Sequence, residues 1–170
     1  MTFFGSTAFV LFHTALSLVA IVTGLVVVRG LLRNDALNGW TLWFFVTTVG
    51  TTLTGFLFPF GGFTPAIGTG IVSTVVLAVT IPARYSFQYA GPWRRVYVIG
   101  TVISLYLNCF VLVVQAFLKV PTLHALAPEG NEPPFAIAQL LVLLLTCVSG
   151  YFAVRRFRPE QKGTFLISGA

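Results

Sequence analysis

The chain has 170 residues, of which 56% are hydrophobic and only 8% are charged. Soluble domains carry about 25% charged residues, so this composition excludes an ordinary soluble protein and indicates an integral membrane protein. The formal net charge is +6. The Lys and Arg residues stand at the ends of apolar segments, as the orientation rule for membrane proteins predicts, and this placement argues against nucleic-acid binding.

Five apolar segments have lengths within the range of about 17–25 residues that crosses a bilayer as an α-helix. We predict an all-α fold, a polytopic membrane helix bundle of five transmembrane helices in one domain. The predicted spans are residues 7–28, 40–58, 65–81, 96–118 and 135–154. Trp40 and Trp43 at the start of the second span are typical of a membrane interface. Pro65 suits the first turn of the third span, where its missing N–H costs nothing.

The basic residues predict the orientation of the bundle. With the N-terminus outside and the C-terminus in the cytoplasm, nine of the ten Lys and Arg residues fall on the cytoplasmic side and only Lys119 falls outside. The nine are Arg29, Arg33, Arg84, Arg94, Arg95, Arg155, Arg156, Arg158 and Lys162. The predicted location is therefore a membrane, with the lipid bilayer as the first partner and nucleic acid excluded.

Small residues recur every four positions in several spans, which lets helix backbones approach closely. The rows are Thr47, Thr51 and Gly55; Ala66, Gly70, Thr74 and Ala78; Ala20 and Gly24; and Thr146 and Gly150. They predict seams between helices of one bundle or, alternatively, contacts of a homo-oligomer. Cys109 and Cys147 lie inside apolar segments, so we expect packing residues rather than a disulfide or metal ligands.

The fourth span carries a polar stripe on one helical face. Its members are Thr101, Ser104, Asn108, Gln115 and Lys119, which follow each other at helical spacing. A buried amide costs several kcal/mol in lipid unless a protein group satisfies it. The stripe must therefore face other helices or a wet cavity. Two interpretations stand: hydrogen bonds between helices, or the lining of a pocket or polar path.

Depth along the predicted spans places five polar residues in one layer below the outer surface. They are His13, Thr54, Thr69, Gln115 and Gln139, with Lys119, His124, Glu129 and Glu132 just above them. We predict a polar, ligand-binding pocket that opens outward. Its candidate residues are His13, Thr54, Thr69, Asn108, Gln115, Gln139 and Lys119. Each also has a structural interpretation, as a hydrogen-bonded, solvated or headgroup-facing side chain, but an ionisable group inside the membrane is a functional hypothesis by default.

No catalytic motif of the zinc-hydrolase, nucleophile-elbow or phosphate-loop kind occurs, and the four carboxylates lie outside the spans. We therefore predict a protein that is not an enzyme, with no metal site and no cofactor. A b-type haem between helices usually takes two axial ligands, often His. Because only His13 lies in a span and His124 lies in a loop, haem is kept as an alternative only.

Three segments carry a resemblance to known proteins: LFHTALSLVAIVTG, TTLTGFLFPFGGFTPAIGTG, and YLNCFVLVVQAFLKVPTLHALAP followed by EPPFAIAQ. They resemble a group of small multi-span inner-membrane proteins of bacteria, over most of the chain. The resemblance implies a multi-pass bundle located in a bacterial inner membrane and no assigned activity, so no catalytic residue is carried over. A looser likeness to haem-binding four-helix membrane proteins depends on His13 alone.

These observations favour a non-catalytic accessory or scaffold subunit that holds a lipid or other amphiphile in the outer polar layer. The first alternative is a small transporter or a conduit for protons or solutes, and the second is a haem-binding electron-transfer subunit. We expect a larger membrane complex or a homo-oligomer as partner.

Overall fold

The structure is a computed structural model that describes residues 6–59, 62 and 64–159. The helices are α1 (Thr7–Leu32), α2 (Asn38–Phe56), α3 (Pro65–Tyr85), α4 (Trp93–Lys119), α5 (Pro121–His124) and α6 (Pro133–Arg156). Across the described ranges every regular element is a helix. The five predicted spans therefore correspond to the five long helices, and α5 is a single turn inside the predicted loop.

Four of the long helices, α1, α3, α4 and α6, are both long and apolar enough to cross a membrane. α2 has 19 residues, six of them threonines, and is equally helical, but it is not among these four. The long helices reach beyond most of the predicted boundaries because hydrogen bonding continues into the polar flanks. α4, for example, begins at Trp93, which places Arg94 and Arg95 in its first turn.

Local signals at the helix ends explain several boundaries. The Ser6 side chain accepts a hydrogen bond from the Phe9 N–H at 3.3 Å, and Thr64 does the same for the Ile67 N–H at the start of α3. Both are side-chain N-caps, which satisfy backbone donors that the helix leaves free. Pro65 occupies the first turn of α3, as predicted.

The helices α1, α2, α3 and α4 form a four-helix ring in which each packs against the next and α4 closes back on α1. α6 lies outside this ring against α4 and α1. Leu31, Phe44, Val98 and Leu105 are central members of the core inside the ring. α6 contributes one buried residue, Ala153, so most of its surface faces away from the protein.

Two ends of this bundle are named by what they carry. At the arginine-rich end lie the last residues of α1, α3 and α6 and the first residues of α2 and α4. At the His13 end lie the first residues of α1, α3 and α6 and the last residues of α2 and α4. Contacts between helices fix this arrangement: Arg94 bonds to the Phe157 carbonyl at one end, and Phe117 packs on Phe135 at the other.

The predicted seams of small residues are confirmed on α1 and wrong for most of α3. A Cβ atom on Gly24 would lie 2.7 Å from the Phe44 ring, so α1 and α2 approach closely there. On α3, Gly70 faces Phe56, but the other three members of its row are exposed: Ala66, Thr74 and Ala78. α3 instead meets α4 where Gly100 leaves room for Thr80. A homo-oligomer contact through the exposed row stays a prediction.

Candidate functional site

His13 and Thr54 are in direct contact at the His13 end, as their predicted depth implies. His13 Nδ1 lies 2.8 Å from Thr54 Oγ1, and the Thr54 hydroxyl lies 2.7 Å from the Gly50 carbonyl, to which it donates. Because that hydroxyl has one hydrogen, it accepts from an Nδ1–H, which leaves Nε2 of a neutral imidazole as the acceptor. The ring is half-buried and meets Phe58 edge-on at 5.1 Å.

The other predicted members of the outer layer are not gathered around this pair. The Thr69 hydroxyl donates to the Pro65 carbonyl of its own helix at 2.9 Å. Gln139 Nε2 donates to the Phe110 carbonyl at 3.2 Å and so links α6 to α4. Gln115 is half-buried and makes no hydrogen bond within the described part of the chain. The structure thus brings together one pair of the layer rather than a five-residue pocket.

Lys119 lies at the same end of the bundle and is exposed. It is followed by α5, on which His124 is also exposed, and then by the acidic loop. Lys119 and His124 are therefore exposed polar groups at the same end of the bundle as the His13 pair.

Asn108 belongs to a different level, near the middle of the bundle. Its Nδ2 donates to the Ser104 carbonyl at 3.0 Å and lies 3.4 Å from the Thr48 hydroxyl of α2. These contacts support the interhelical interpretation of the stripe. They also place Asn108 in what we call the interior polar row: Thr41 and Thr48 on α2, with Tyr97, Thr101, Ser104 and Asn108 on α4.

The interior polar row extends over 12 residues of α4, a rise of about 16 Å from Tyr97 to Asn108. Thr101 and Ser104 have no exposed surface. The Ser104 hydroxyl has no hydrogen-bond partner among the described residues, and the Thr101 hydroxyl lies beside the Tyr97 hydroxyl without a well-directed bond. Buried hydroxyls without partners are uncommon. The row is therefore a continuous polar feature along one face of α4.

A cluster at the arginine-rich end was not foreseen from the sequence. Arg84, predicted to mark the membrane edge, is only 6% exposed. Its guanidinium donates to the Tyr89 hydroxyl, to the Tyr97 hydroxyl at 3.0 Å and to Asn38 Oδ1 at 2.7 Å. Of the described carboxylates, none forms a salt bridge with it. We call Asn38, Arg84, Tyr89, Tyr97 and Phe157 the arginine cluster.

Aromatic rings enclose the Arg84 charge. The guanidinium carbon lies 5.3 Å from the ring centre of Tyr85, 5.7 Å from that of Tyr89 and 5.4 Å from that of Tyr97. Rings at such distances stabilise a cation through their quadrupoles. Phe157 packs on both Tyr89 and Tyr97, with centroids 5.5 and 5.7 Å apart. The cluster thus replaces a counter-ion by hydroxyl, amide and aromatic partners.

An unusual turn between α3 and α4 places the Tyr89 side chain against Arg84. Gln88 and Tyr89 both adopt positive φ, 45° and 65°, in the connection between α3 and α4. Non-glycine residues held there cost about 1–3 kcal/mol each and persist when surrounding contacts over-determine them. The Tyr89 N–H bonds to the Ala83 carbonyl at 3.2 Å, and Phe87 stacks on Trp93 at 3.9 Å. Burial raises the pKa of the Tyr89 hydroxyl, which keeps it neutral.

Further hydrogen bonds join the ends of other helices beside this cluster. Arg94 donates to the carbonyls of Val154 at 2.9 Å and Phe157 at 2.6 Å, which closes the last turn of α6. The Arg158 N–H donates to Asn34 Oδ1 at 2.6 Å in the turn after α1. All five long helices or their adjoining turns are therefore joined at the arginine-rich end. The only sequence signal was the run of aromatic and basic residues, which does not reveal that Arg84 faces inward.

Two grooves lie on the outside of the bundle. One, of about 440 Å³, runs between α4 and α6, and its lining includes Ile99, Ile103, Tyr106, Leu143, Cys147 and Arg155. The other, of about 470 Å³, lies between α1 and α2 beside Trp40 and Trp43. Neither groove includes any of the predicted ligand-binding residues. We call the first the α4–α6 groove.

The His and Cys side chains are the candidate ligands for a metal ion or a haem. Within the described ranges, no group of three or more His, Cys, Asp or Glu side chains is close enough to hold a metal ion. Cys109 and Cys147 are free thiols, one half-buried and one exposed. His13 is held through Nδ1 by Thr54, and His124 lies on α5. The haem alternative stays a prediction.

Comparisons of this chain with protein-family models, with curated proteins and with solved structures found no match.

Proposed function

We propose that the protein is a non-catalytic integral membrane protein that serves as an accessory or scaffold subunit and holds an amphiphile at its surface. What carries the proposal is α6, which has 24 residues and a single buried side chain, Ala153. Its exposed apolar residues include Leu141, Leu145 and Val148, and they face away from the ring. A helix this apolar is stable only when lipid or another protein covers it.

We propose further that all five long helices cross the bilayer, with the N-terminus outside and the C-terminus in the cytoplasm. α2 is about 28 Å long at 1.5 Å per residue, close to the thickness of the ~30 Å hydrocarbon core. It packs between α1 and α3, two helices that are apolar enough to span. Its threonines bond largely to backbone carbonyls, such as Thr47 to Trp43 at 2.7 Å. These bonds remove the cost of polar side chains in lipid.

Orientation is tested by cysteine labelling in a chain with both native cysteines changed to Ser. Asn131→Cys in the acidic loop and Ser86→Cys in the α3–α4 connection are both at exposed positions. A membrane-impermeant maleimide applied to intact cells should label the first and reach the second only after permeabilisation. The reverse pattern would show the opposite orientation, and labelling of both sites in intact cells would exclude the five-span topology.

The accessory role is tested by photo-crosslinking in the native membrane. A benzophenone amino acid at Leu145 on α6 should crosslink to a second polypeptide, because α6 is the apolar helix that the chain itself covers least. The matched control is Val75 on α3, whose side chain is also exposed. Equal yields at the two sites, or none at either, would contradict a partner on α6 and leave lipid as its covering.

A second candidate function, a narrow polar conduit, is favoured by the interior polar row. The buried hydroxyls of Thr101 and Ser104 and the Asn108 amide form a polar face across the middle of α4. The row leads to Arg84, and a buried cation at one end of a path repels other cations. Such a conduit would therefore pass water or small anions. Flux into proteoliposomes should fall with Asn108→Leu and persist with Thr47→Val, since Thr47 bonds only to its own helix.

A further inference from the structure

The α4–α6 groove has a mostly apolar lining, but basic side chains lie at one of its ends. We infer that it binds one anionic phospholipid of the cytoplasmic leaflet, with an acyl chain between the two helices and the phosphate between Arg95 and Arg155. The inference rests on the proposed function and its orientation, which place this end of the bundle at the cytoplasmic surface.

The length of the groove fits one leaflet. Its lining on α6 runs from Leu143 to Arg155, a rise of about 18 Å at 1.5 Å per residue. The hydrocarbon core is about 30 Å thick, so the groove reaches from one interface to slightly beyond the midplane. The Thr146 hydroxyl in the lining is bonded to the Val142 carbonyl at 2.8 Å, so it is not left without a partner in the middle of the groove.

The floor of the groove owes its depth to Gly150. A Cβ atom there would lie 3.2 Å from a methyl group of Val102, so α4 and α6 touch at this point. Above that contact the longer side chains of Ile103 and Leu143 form the walls. An acyl chain fills a narrow apolar slot of this kind without bringing polar backbone groups into it, whereas an added helix is about 10 Å wide.

The charges identify the headgroup. Arg155 lines the groove, and its guanidinium lies 4.6 Å from the ring centre of Tyr151 one turn earlier. Arg95 precedes Ile99 by four residues, so it projects from the groove-facing side of α4. Arg94 holds the two helices together just beyond, through the carbonyls of Val154 and Phe157. One arginine from each helix therefore flanks the same end of the groove.

No described carboxylate neutralises these two arginines. Asp35 lies in the turn after α1, where it accepts from the Leu37 N–H, and Glu129 and Glu132 lie beyond α5 at the other end. A phosphate diester accepts charge-assisted hydrogen bonds from guanidinium groups, whereas the choline of a zwitterionic headgroup brings a second positive charge to the site. The groove thus matches an anionic phospholipid rather than phosphatidylcholine.

The test is native mass spectrometry of the full chain in mild detergent, with palmitoyl-oleoyl phosphatidylglycerol or palmitoyl-oleoyl phosphatidylcholine added. The wild-type chain should bind the phosphatidylglycerol about tenfold more tightly than the phosphatidylcholine. Arg95→Gln with Arg155→Gln should reduce this preference to near unity. Arg29→Gln with Arg33→Gln is the matched control, because both arginines are exposed at the same end on or next to α1, and it should keep the preference.

The native thiol gives a second measurement that needs no variant. Cys147 is exposed and lines the groove, whereas Cys109 is half-buried and does not. Phosphatidylglycerol should slow alkylation of Cys147 by N-ethylmaleimide more than phosphatidylcholine does, with Cys109 unchanged.

Three results would overturn the inference: equal affinity for both lipids, a preference lost in the Arg29 and Arg33 control but kept in the groove variant, or no protection of Cys147. Each leaves the orientation test by cysteine labelling intact, so failure of the lipid site and failure of the proposed topology are distinguishable.

Discussion

The two ends of the bundle are built in opposite ways. At the arginine-rich end Arg84, Tyr97 and Phe157 are buried together, and side-chain bonds join all five long helices or their turns. At the His13 end the main polar contact between helices is the His13–Thr54 pair, and Lys119 is exposed. One end is closed by a shared cluster, and the other is left open to its surroundings.

This difference indicates that the arginine-rich end stabilises the fold, whereas the His13 end contributes little to its stability. The arginine cluster holds five chain segments around one charge, and the polar groups of its side chains bond to one another. The side chains near the His13 end make few mutual bonds, and Gln115 makes none within the described residues. Stability should therefore depend strongly on the arginine-rich end and weakly on the His13 end.

The largest effect is expected from Arg84→Ala. The change removes three donors, leaves the hydroxyls of Tyr89 and Tyr97 and the Asn38 amide without their partner, and opens a cavity. Each polar group left without its partner costs about 1–3 kcal/mol and the cavity adds to this, so the change should cost about 3–5 kcal/mol in total. The free energy of unfolding in detergent should fall by that amount, whereas Arg33→Ala, at an exposed position, should change it by less than about 0.5 kcal/mol. Equal effects of the two changes would show that the cluster does not hold the end together.

A pair of glycines compares packing at the two ends. A Cβ atom on Gly100 would overlap the Thr80 side chain, so Gly100→Ala must separate α3 and α4 and should cost about 1–3 kcal/mol. On Gly55, near the other end, the same atom would meet His13 Cε1 at 3.6 Å, an ordinary contact. Gly55→Ala should be neutral or stabilise by up to about 1 kcal/mol through helix propensity. Thermal unfolding of both variants measures the contrast, and a tolerated Gly100→Ala would show that α3 and α4 are not in close contact.

The His13–Thr54 bond should be worth less than either of these. Thr54→Val keeps the shape of the side chain and removes the acceptor, which should cost about 1 kcal/mol. Thr69→Val is the control, since the Thr69 hydroxyl bonds only within its own helix, and a change within about 0.5 kcal/mol is expected. A shift of the His13 imidazole resonances in the first variant alone would locate the effect at the pair.

The sequence predicted contacts correctly where only the height of a residue along the bundle axis was needed. Counting turns from the ends of the spans gives height along the bundle, and height was enough to bring His13 level with Thr54. It does not give the direction in which a side chain points, and for that reason it did not show that the Thr69 hydroxyl bonds within its own helix rather than to this pair. The Pro65 cap was predictable because it depends only on local backbone geometry.

Arg84 was misjudged for a related reason. An arginine near the end of an apolar span is usually a marker of the cytoplasmic interface, and its spacing carries no sign of burial. Its burial depends on Tyr89, which arrives through a turn with two residues at positive φ that are not types favouring that conformation. The Tyr89 side chain in this turn contacts Arg84, Tyr97 and Phe157, and the contact with Phe157 joins residues far apart in the sequence.

The smallest expected effect concerns the open end, where Glu132 precedes α6. Its carboxylate accepts from the Glu129 N–H at 2.9 Å and the Asn131 N–H at 3.0 Å, and these bonds, that from Glu129 first, lower its pKa. Because the folded pKa is depressed, the ordering of this loop is present above the unfolded pKa and is lost as pH falls through the folded value. Hydrogen exchange at the Glu129 and Asn131 amides should therefore be slower than in Glu132→Gln at neutral pH. Since the carboxylate is exposed, the global unfolding temperature should not change. A fall in that temperature with Glu132→Gln would mean that the His13 end is more closely coupled to the core than its sparse contacts indicate.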